Sequence, residues 1–320
     1  MSLGTRVLDT ALDRAVVPGY TRIGYSVRSR FWPADPPCGA LEGSTVVITG
    51  ANSGLGKAAI AGLAKLGATV HMVVRDPEKG AAARAEVQAV APEAHLELET
   101  CDIADLTSVR RFAEDFLERH GSLDVLVHNA GTLPPERRET ADGNEITLAT
   151  HVFGPFLLTA LLRPALAAAH GRVIFVTSGG MYTAGLHVDD PQYAEGGYSG
   201  TRAYARTKRM QVVLAEQWAA HLDADGVVVH SMHPGWADTP GVAASLPGFN
   251  RIMAPLLRSP DQGADTVVWL AAADEPARMT GRFWHDRRDR PTHITPWTRE
   301  KPEQRAALWD LCVARTGVDP

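Results

Sequence analysis

The sequence predicts an α/β fold, a doubly wound parallel sheet (Rossmann fold) of about seven strands with helices on both faces. Three observations carry that expectation. From Ser44 onward, short apolar runs alternate with longer stretches of helical period, the pattern of repeated strand–helix–strand units. A glycine-rich turn stands directly after the first run and directly before an Ala-rich helix. The chain has 320 residues, 45% hydrophobic and 22% charged, which is enough to bury one large core.

Taken in order, residues 1–40 form an N-terminal extension, with a short helix around Leu3 to Val16 and the turn-rich run Pro33-Ala-Asp-Pro-Pro37. A helix this short and partly acidic is expected to pack on its own domain, so contact with a membrane surface is not expected. Strands are expected at Thr45–Thr49, Thr69–Val74, His95–Glu99, Val125–His128, Arg172–Thr177 and Val227–Met232. Helices fall near Leu55–Leu66, Glu78–Val90, Thr107–Arg119, Glu145–Ala169 and Ala203–Leu222. A seventh strand is placed at Arg282–Trp284, after a helix near Asp261–Ala273. The dinucleotide-binding domain then spans 41–290, with 291–320 as a C-terminal tail packed on it.

Composition excludes several function classes. A net charge of −5 without a dense Lys/Arg tract gives no electrostatic reason for a nucleic-acid partner. The basic cluster Arg282 to Arg290 is interleaved with Asp286 and Asp289 and reads as a solvated surface. Cys38, Cys101 and Cys312 lack any spacing that suits a metal or a disulfide framework, which fits a reducing cytoplasm. No basic segment followed by an apolar core opens the chain, and the most apolar stretch, Val152 to Ala169, is interrupted by Arg163 and Pro164. Neither a signal peptide nor a membrane span is expected.

The turn Thr49-Gly50-Ala51-Asn52-Ser53-Gly54-Leu55-Gly56 joins the first strand to a helix N-terminus. Missing side chains let the backbone approach a diphosphate, and the helix end offers unpaired N–H groups. The second strand ends in Val73-Val74-Arg75-Asp76. Arg75 is placed to pair with a 2′-phosphate, which favours NADP(H) over NAD(H), and Asp76 is the competing reading. In Cys101-Asp102-Ile103, Asp102 either accepts from an adenine amino group or caps the turn before the next helix. His128-Asn129-Ala130-Gly131 supplies small residues where the backbone passes close to a cofactor, with Asn129 as the floor.

Tyr204 has a lysine four residues on, Lys208, and on a helix that spacing puts both on one face. A neighbouring ammonium stabilises phenolate, lowering the tyrosine pKa toward exchange with a substrate oxygen, and Lys208 could also hold a ribose. Tyr198 with Arg202 has the same spacing, but a planar guanidinium is a poor substitute for a compact ammonium. The fifth strand ends in Val176-Thr177-Ser178-Gly179-Gly180, where Ser178, or Thr177 as the alternative, can donate to a developing oxyanion. His230 and His233 lie three apart without a completing ligand set, so no metal is expected.

Together the turn at 49–56, Asn129-Ala-Gly131, Ser178 and the Tyr204/Lys208 pair resemble the short-chain dehydrogenase/reductase family, from about Leu41 to Arg290. Thr177-Ser-Gly-Gly-Met181, Ser231-Met-His-Pro-Gly-Trp-Ala-Asp-Thr-Pro-Gly241 and Gln262-Gly-Ala-Asp-Thr266 look most like its member-12-like branch. The resemblance implies that Pro234, Gly235 and Thr239, with Trp236 between them, line the nicotinamide pocket. It also implies an asparagine in a pattern Asn-x-x-Gly, where this chain has His151-Val-Phe-Gly154. His151 could join a proton relay or mark a weakened enzyme.

The expected reaction is NADP(H)-dependent interconversion of an alcohol and a carbonyl, an aldehyde or ketone, with Tyr204 moving the proton. The alternative is an NADP(H)-binding scaffold or redox sensor. The loop Met181–Gly200 and the segment Val242–Ala254, with Leu246, Phe249, Ile252 and Met253, are expected to cover a lipophilic substrate. The helix Val152–Ala169, or the one carrying Tyr204, could pair with its copy in a homodimer.

Overall fold

A computed structural model describes residues 3–320 of the chain. The sheet contains β1 (Thr45–Thr49), β2 (Thr69–Val74), β3 (His95–Thr100), β4 (Val125–His128), β5 (Arg172–Val176), β6 (Val228–Met232), β7 (Arg282–His285) and β8 (Arg288–Arg290). Their order is β3-β2-β1-β4-β5-β6-β7-β8, parallel throughout except for the antiparallel pair β7–β8. β1 lies between β2 and β4, in register Thr45 with Thr69 and Val46 with Val125. The order in which successive strands are added reverses there, and a crevice opens at the carboxyl ends of the strands.

The central strands are buried on both faces, which is why they read as continuous apolar runs rather than as alternation. One face is covered by α4 (Gly54–Lys65), α5 (Pro77–Val90) and α12 (Pro260–Ala272) through Ile60, Leu63, Val87, Val267 and Leu270. The other is covered by α6 (Leu106–Arg119), α8 (Gly154–Ala169) and α9 (Gly200–His221) through Phe112, Phe116, Phe156, Val213 and Trp218. The final helix, α14 (Pro302–Thr316), lays Trp309 against Trp218 and Phe156 at ring separations of 5.1 and 4.9 Å. Caps set the helix starts: Asp76 before Pro77, Asp105 before α6, and Ser259 with Gln262 at α12. A three-residue turn, α7 (Ile146–Leu148), runs through a π-helical turn, Ala149–Phe153, into α8. The continuous stretch Ile146–Ala169 is long and apolar enough to cross a membrane by length and composition, but Phe153, Phe156, Leu158 and Leu162 are buried inside this protein.

The structure has an eighth strand that the sequence analysis does not anticipate. The turn joining β7 to β8 is Asp286-Arg287, with both residues left-handed (φ 52° and 55°). Such a turn is normally announced by Asn-Gly or Asp-Gly, and here that signal is missing. Ion pairs hold the unusual backbone. Asp286 accepts from Arg258 Nη1 at 2.6 Å and Arg28 Nη1 at 2.7 Å, while Arg287 donates to Asp265 and Asp35, each at 2.6 Å. Arg287 and Arg290 are buried, so the cluster Arg282–Arg290 is not simply the solvated surface its charge pattern suggests.

These charges fasten the extension, which folds as α1 (Leu3–Arg14), α2 (Val16–Tyr20) and α3 (Arg22–Arg28) rather than as one helix. Asp9 on α1 accepts from Arg28, Arg288 and Arg290 at 2.7–2.9 Å. The carbonyl of Gly19 accepts from Arg28 and Arg258, and that of Tyr20 from the Trp236 amide at 2.7 Å.

Removing the carboxylate of Asp286 leaves the buried Arg258 guanidinium without a carboxylate partner and takes from Arg28 one of the two that it bonds. Asp286→Ala is therefore expected to cost about 3–5 kcal/mol, measured as a lowered urea midpoint at unchanged slope. Wild-type stability in that variant would mean that the network does not hold the extension in place.

Candidate active site

The site begins where β1 and β4 end. Thr49 Oγ1 accepts from the amides of Asn129 (3.1 Å) and Ala130 (3.0 Å), and the Asn129 side-chain amide donates to the carbonyls of Thr49 (2.9 Å) and Gly50 (3.1 Å). This clasp fixes the glycine turn against the neighbouring strand. Gly50 has φ +67°, and a Cβ there would lie 2.7 Å from the Ala130 Cα. Ser53, the N-cap of α4, makes no side-chain capping bond, so the helix N-terminus keeps amides free for an anion.

A cavity of about 540 Å³ extends from this turn, lined on that side by Asn52, Ser53, Gly54, Leu55 and Gly56. Asn129, Ala130 and Gly131 form its floor, and Pro234, Gly235, Trp236 and Thr239 form the opposite wall. Thr239 also caps α10 (Pro240–Ser245). Of the expected cofactor residues, Thr49 sits behind the wall as its brace. Arg75, Asp102 and Ile103 stand farther along the same sheet edge, outside the cavity lining. Arg75 is exposed, whereas Asp76 accepts from the Glu78 and Lys79 amides and so is engaged in capping. Asp102 accepts from the Ala104 amide at 3.0 Å, the capping role, with its second oxygen left over. Ile103 is buried.

Ser178, Tyr204 and Lys208 meet at the far end of the cavity. Ser178 Oγ accepts from the Gly180 amide (3.2 Å), and it lines the cavity beside the Tyr204 phenol. Thr177 cannot compete for that place, because its hydroxyl donates to Met232 O at 2.9 Å. Tyr198 precedes α9 and donates to Glu145 at 3.0 Å. Lys208 Nζ donates to Val176 O (2.9 Å) and Gln211 Oε1 (2.8 Å) and lies 5.4 Å from the Tyr204 ring centre. The expected depression of the tyrosine pKa by lysine is not what the protein alone produces. Burial raises the phenol, the Ser178 hydrogen bond pulls it back, and burial lowers Lys208 to about 7.

His151 lies in the π-helical turn, edge-on to Tyr204 at 5.4 Å. Its Nε2 accepts from the Thr132 amide (3.0 Å), which leaves the proton on Nδ1, facing Thr207 Oγ1 at 2.8 Å. Thr207 in turn donates to backbone carbonyls of α9. Burial and the nearby Lys208 hold the imidazole well below its ordinary pKa. Both ring nitrogens are thus engaged and the ring is neutral. His230 and His233 serve separate partners: one donates to Pro276 O, the other accepts from the Gly235 amide.

α10 and α11 (Pro247–Met253) roof the cavity through Val242, Leu246 and Phe249. Ile252, expected to face the substrate, is 77% exposed instead, because it falls on the outer side of α11. In the other expected cover, Thr183 reaches the cavity, but Met181 and Tyr182 are buried in the core.

Three residues that sequence reasoning misses support this site. Gln211 follows Lys208 by three positions, a spacing that could have found it. Arg258 and Tyr20 carry no local signal. Tyr20 stands behind both walls: a Cβ on Gly179 would lie 2.5 Å from its ring, and the ring packs 5.9 Å from Trp236.

A lysine near 7 in the fold and near 10.4 unfolded penalises folding wherever the unfolded chain binds the extra proton. The penalty is full below pH 7 and fades as pH rises toward 10. Relative to Lys208→Met, the wild type is expected to gain on the order of 1–3 kcal/mol between pH 7 and 10, by denaturant unfolding. Parallel pH profiles would exclude a depressed Lys208.

Residues 44–247 match the family model described as short chain dehydrogenase. The chain is 42% identical over 278 residues to dehydrogenase/reductase SDR family member 12 of Bos taurus, covering 86% of each. It is 33% identical over 254 residues to retinol dehydrogenase 11 of Mus musculus, covering 77% of this chain and 78% of the relative. A solved structure from Mycobacterium Paratuberculosis superposes with a TM-score of 0.71 at 29% identity, covering 90% of this chain and 98% of that one. These relatives overturn the expected cytoplasmic location, since they group the chain with dehydrogenases named for an apolar lipid alcohol, retinol. Unpaired cysteines report a reducing solvent and say nothing of attachment to a membrane.

Proposed function

The chain belongs to the short-chain dehydrogenase family, oxidoreductases acting on CH–OH or C=O groups, and from that premise we propose that it is an NADP(H)-dependent carbonyl reductase and alcohol dehydrogenase for lipophilic substrates. One observation carries the proposal: Ser178, Tyr204 and Lys208 line the same cavity as the glycine turn. A bound nicotinamide supplies or takes up the hydride. Gly50, Asn52, Ser53, Gly54, Leu55 and Gly56 suit its diphosphate. Asn129, Ala130, Gly131, Pro234, Gly235, Trp236 and Thr239 suit the nicotinamide half, and Asp102 and Ile103 the adenine end.

In the reducing direction, Tyr204 Oη gives its proton to the substrate oxygen as negative charge grows there. Ser178 Oγ donates a hydrogen bond to the same oxygen. Lys208, in its protonated form, stabilises the phenolate left on Tyr204. His151 is a positioning residue: through Thr132 it fixes the loop after β4, and through Thr207 the helix that carries Tyr204. With both nitrogens engaged it offers no relay, and the substitution for asparagine no longer argues for a scaffold without turnover.

The cofactor preference rests on Arg75 being exposed and available while Asp76 is committed to capping. The substrate class rests on the roof of Val242, Leu246 and Phe249 together with Trp236.

Tyr204→Phe is expected to reduce kcat on a long-chain aldehyde by about 10³-fold while NADPH still quenches tryptophan fluorescence with unchanged affinity. A variant retaining more than a tenth of the activity would remove Tyr204 from the proton-transfer role. Arg75→Ala is expected to raise KM for NADPH roughly 10–100-fold and leave KM for NADH unmoved. Equal effects on both coenzymes would assign the 2′-phosphate to another residue.

A further inference from the structure

We propose that the outer face of α1–α3 is a docking surface for an anionic phospholipid bilayer. The first observation is that α1 is built inside out. Its two acids, Asp9 and Asp13, are buried against Arg28 and Arg290, while Val7 and Leu8 are exposed. Its sequence is partly acidic, as expected of a helix that packs on its own domain. It does pack there, but with its acids inward, so the face it turns outward carries none of that charge.

The second observation is where the exposed apolar side chains gather. Among the described residues, six of the nine large exposed hydrophobics lie between positions 7 and 31: Val7, Leu8, Val16, Val17, Ile23 and Phe31. Soluble surfaces expose such residues singly, and a concentration of this kind marks an interaction site. Leu8 and Phe31 also border one groove of about 400 Å³, with Leu12 and Val27 along it, Arg28, Arg287 and Arg288 beside it and one exposed acid, Glu275, at its far side. That groove joins α1 to α3 and to the turn that follows it.

Charge selects the occupant. Over positions 7 to 31, the exposed charged residues are Arg14, Arg22 and Arg30, all cationic. Apolar side chains ringed by arginines match the boundary between acyl chains and acidic headgroups, where each cation near the surface adds to the attraction. A second copy of the chain fits less well, since a two-fold contact would set the arginines of this face, which outnumber the one acid at the groove, against their own copies. The extension reaches one wall of the cavity. Tyr20, between Val17 and Ile23, touches Trp236, and Trp236 touches Phe249 in the roof at 5.1 Å. On the outer side of that roof, Ile252 offers one more apolar contact.

The proposal does not depend on cofactor or substrate identity. The test is cosedimentation of the full chain with phosphatidylserine-rich vesicles and with pure phosphatidylcholine vesicles. Wild type is expected to pellet with the acidic vesicles, less with neutral ones, and less again at high salt. Val17→Glu with Ile23→Glu is expected to reduce the bound fraction roughly tenfold. Both side chains are exposed, so melting temperature and turnover of a water-soluble carbonyl should not change. Failure of the wild type to pellet, or equal pelleting of the double variant, overturns the proposal. So does light scattering that shows a dimer in wild type and a monomer in the double variant, which would assign the face to a second copy.

Discussion

The carboxylate of Asp286 is the point at which separate parts of the chain are tied together. It sits in a left-handed turn at the sheet edge, takes one guanidinium from the extension and one from the segment before α12, and leaves no exposed route for solvent to relieve it. Arg258 then carries the connection onward to the carbonyls of Pro234, Gly19 and Thr21. A cluster of this kind adds little net stability compared with apolar packing of the same volume, because desolvation offsets most of the attraction. What it provides is register: the extension, the edge hairpin and one wall of the cavity can sit in only one relation to one another.

The reactive end of the cavity obeys a different constraint. Burial opposes charge on both members of the pair, raising the Tyr204 phenol and lowering the Lys208 ammonium. Neutral forms are favoured in the resting protein, and Val176 O and Gln211 hold Lys208 in position rather than a nearby anion. Developing charge on a substrate oxygen would therefore arise in surroundings with few competing charges, where a short hydrogen bond counts for more than it would in water.

Much of this was legible in the residues. The strands β1, β2 and β4 were readable to the residue because both faces are buried, and continuous apolar runs have sharp ends. The glycine turn was readable because backbone proximity demands missing side chains. Tyr204 and Lys208 needed the fold to give their spacing meaning. Three features lay beyond sequence reasoning for physical reasons. The β7–β8 hairpin lacks turn chemistry of its own and is held by distant arginines. The direction in which Asp9 and Asp13 point depends on partners some 280 positions away for the longest bond. Lys208 has an ordinary sequence neighbourhood, and only the packed surroundings shift its proton.

Gly179 adjoins the catalytic candidate Ser178, and the reason it has no side chain lies in the extension, where the ring of Tyr20 occupies the space. Two positions about half the chain apart are thereby coupled by a single steric contact. In a lineage that lost the aromatic ring, the glycine would be released to drift. In one that kept the ring, any side chain at that glycine would press on the serine loop. The footprint of the extension thus lies beside Ser178, in a residue that by itself looks like ordinary loop glycine.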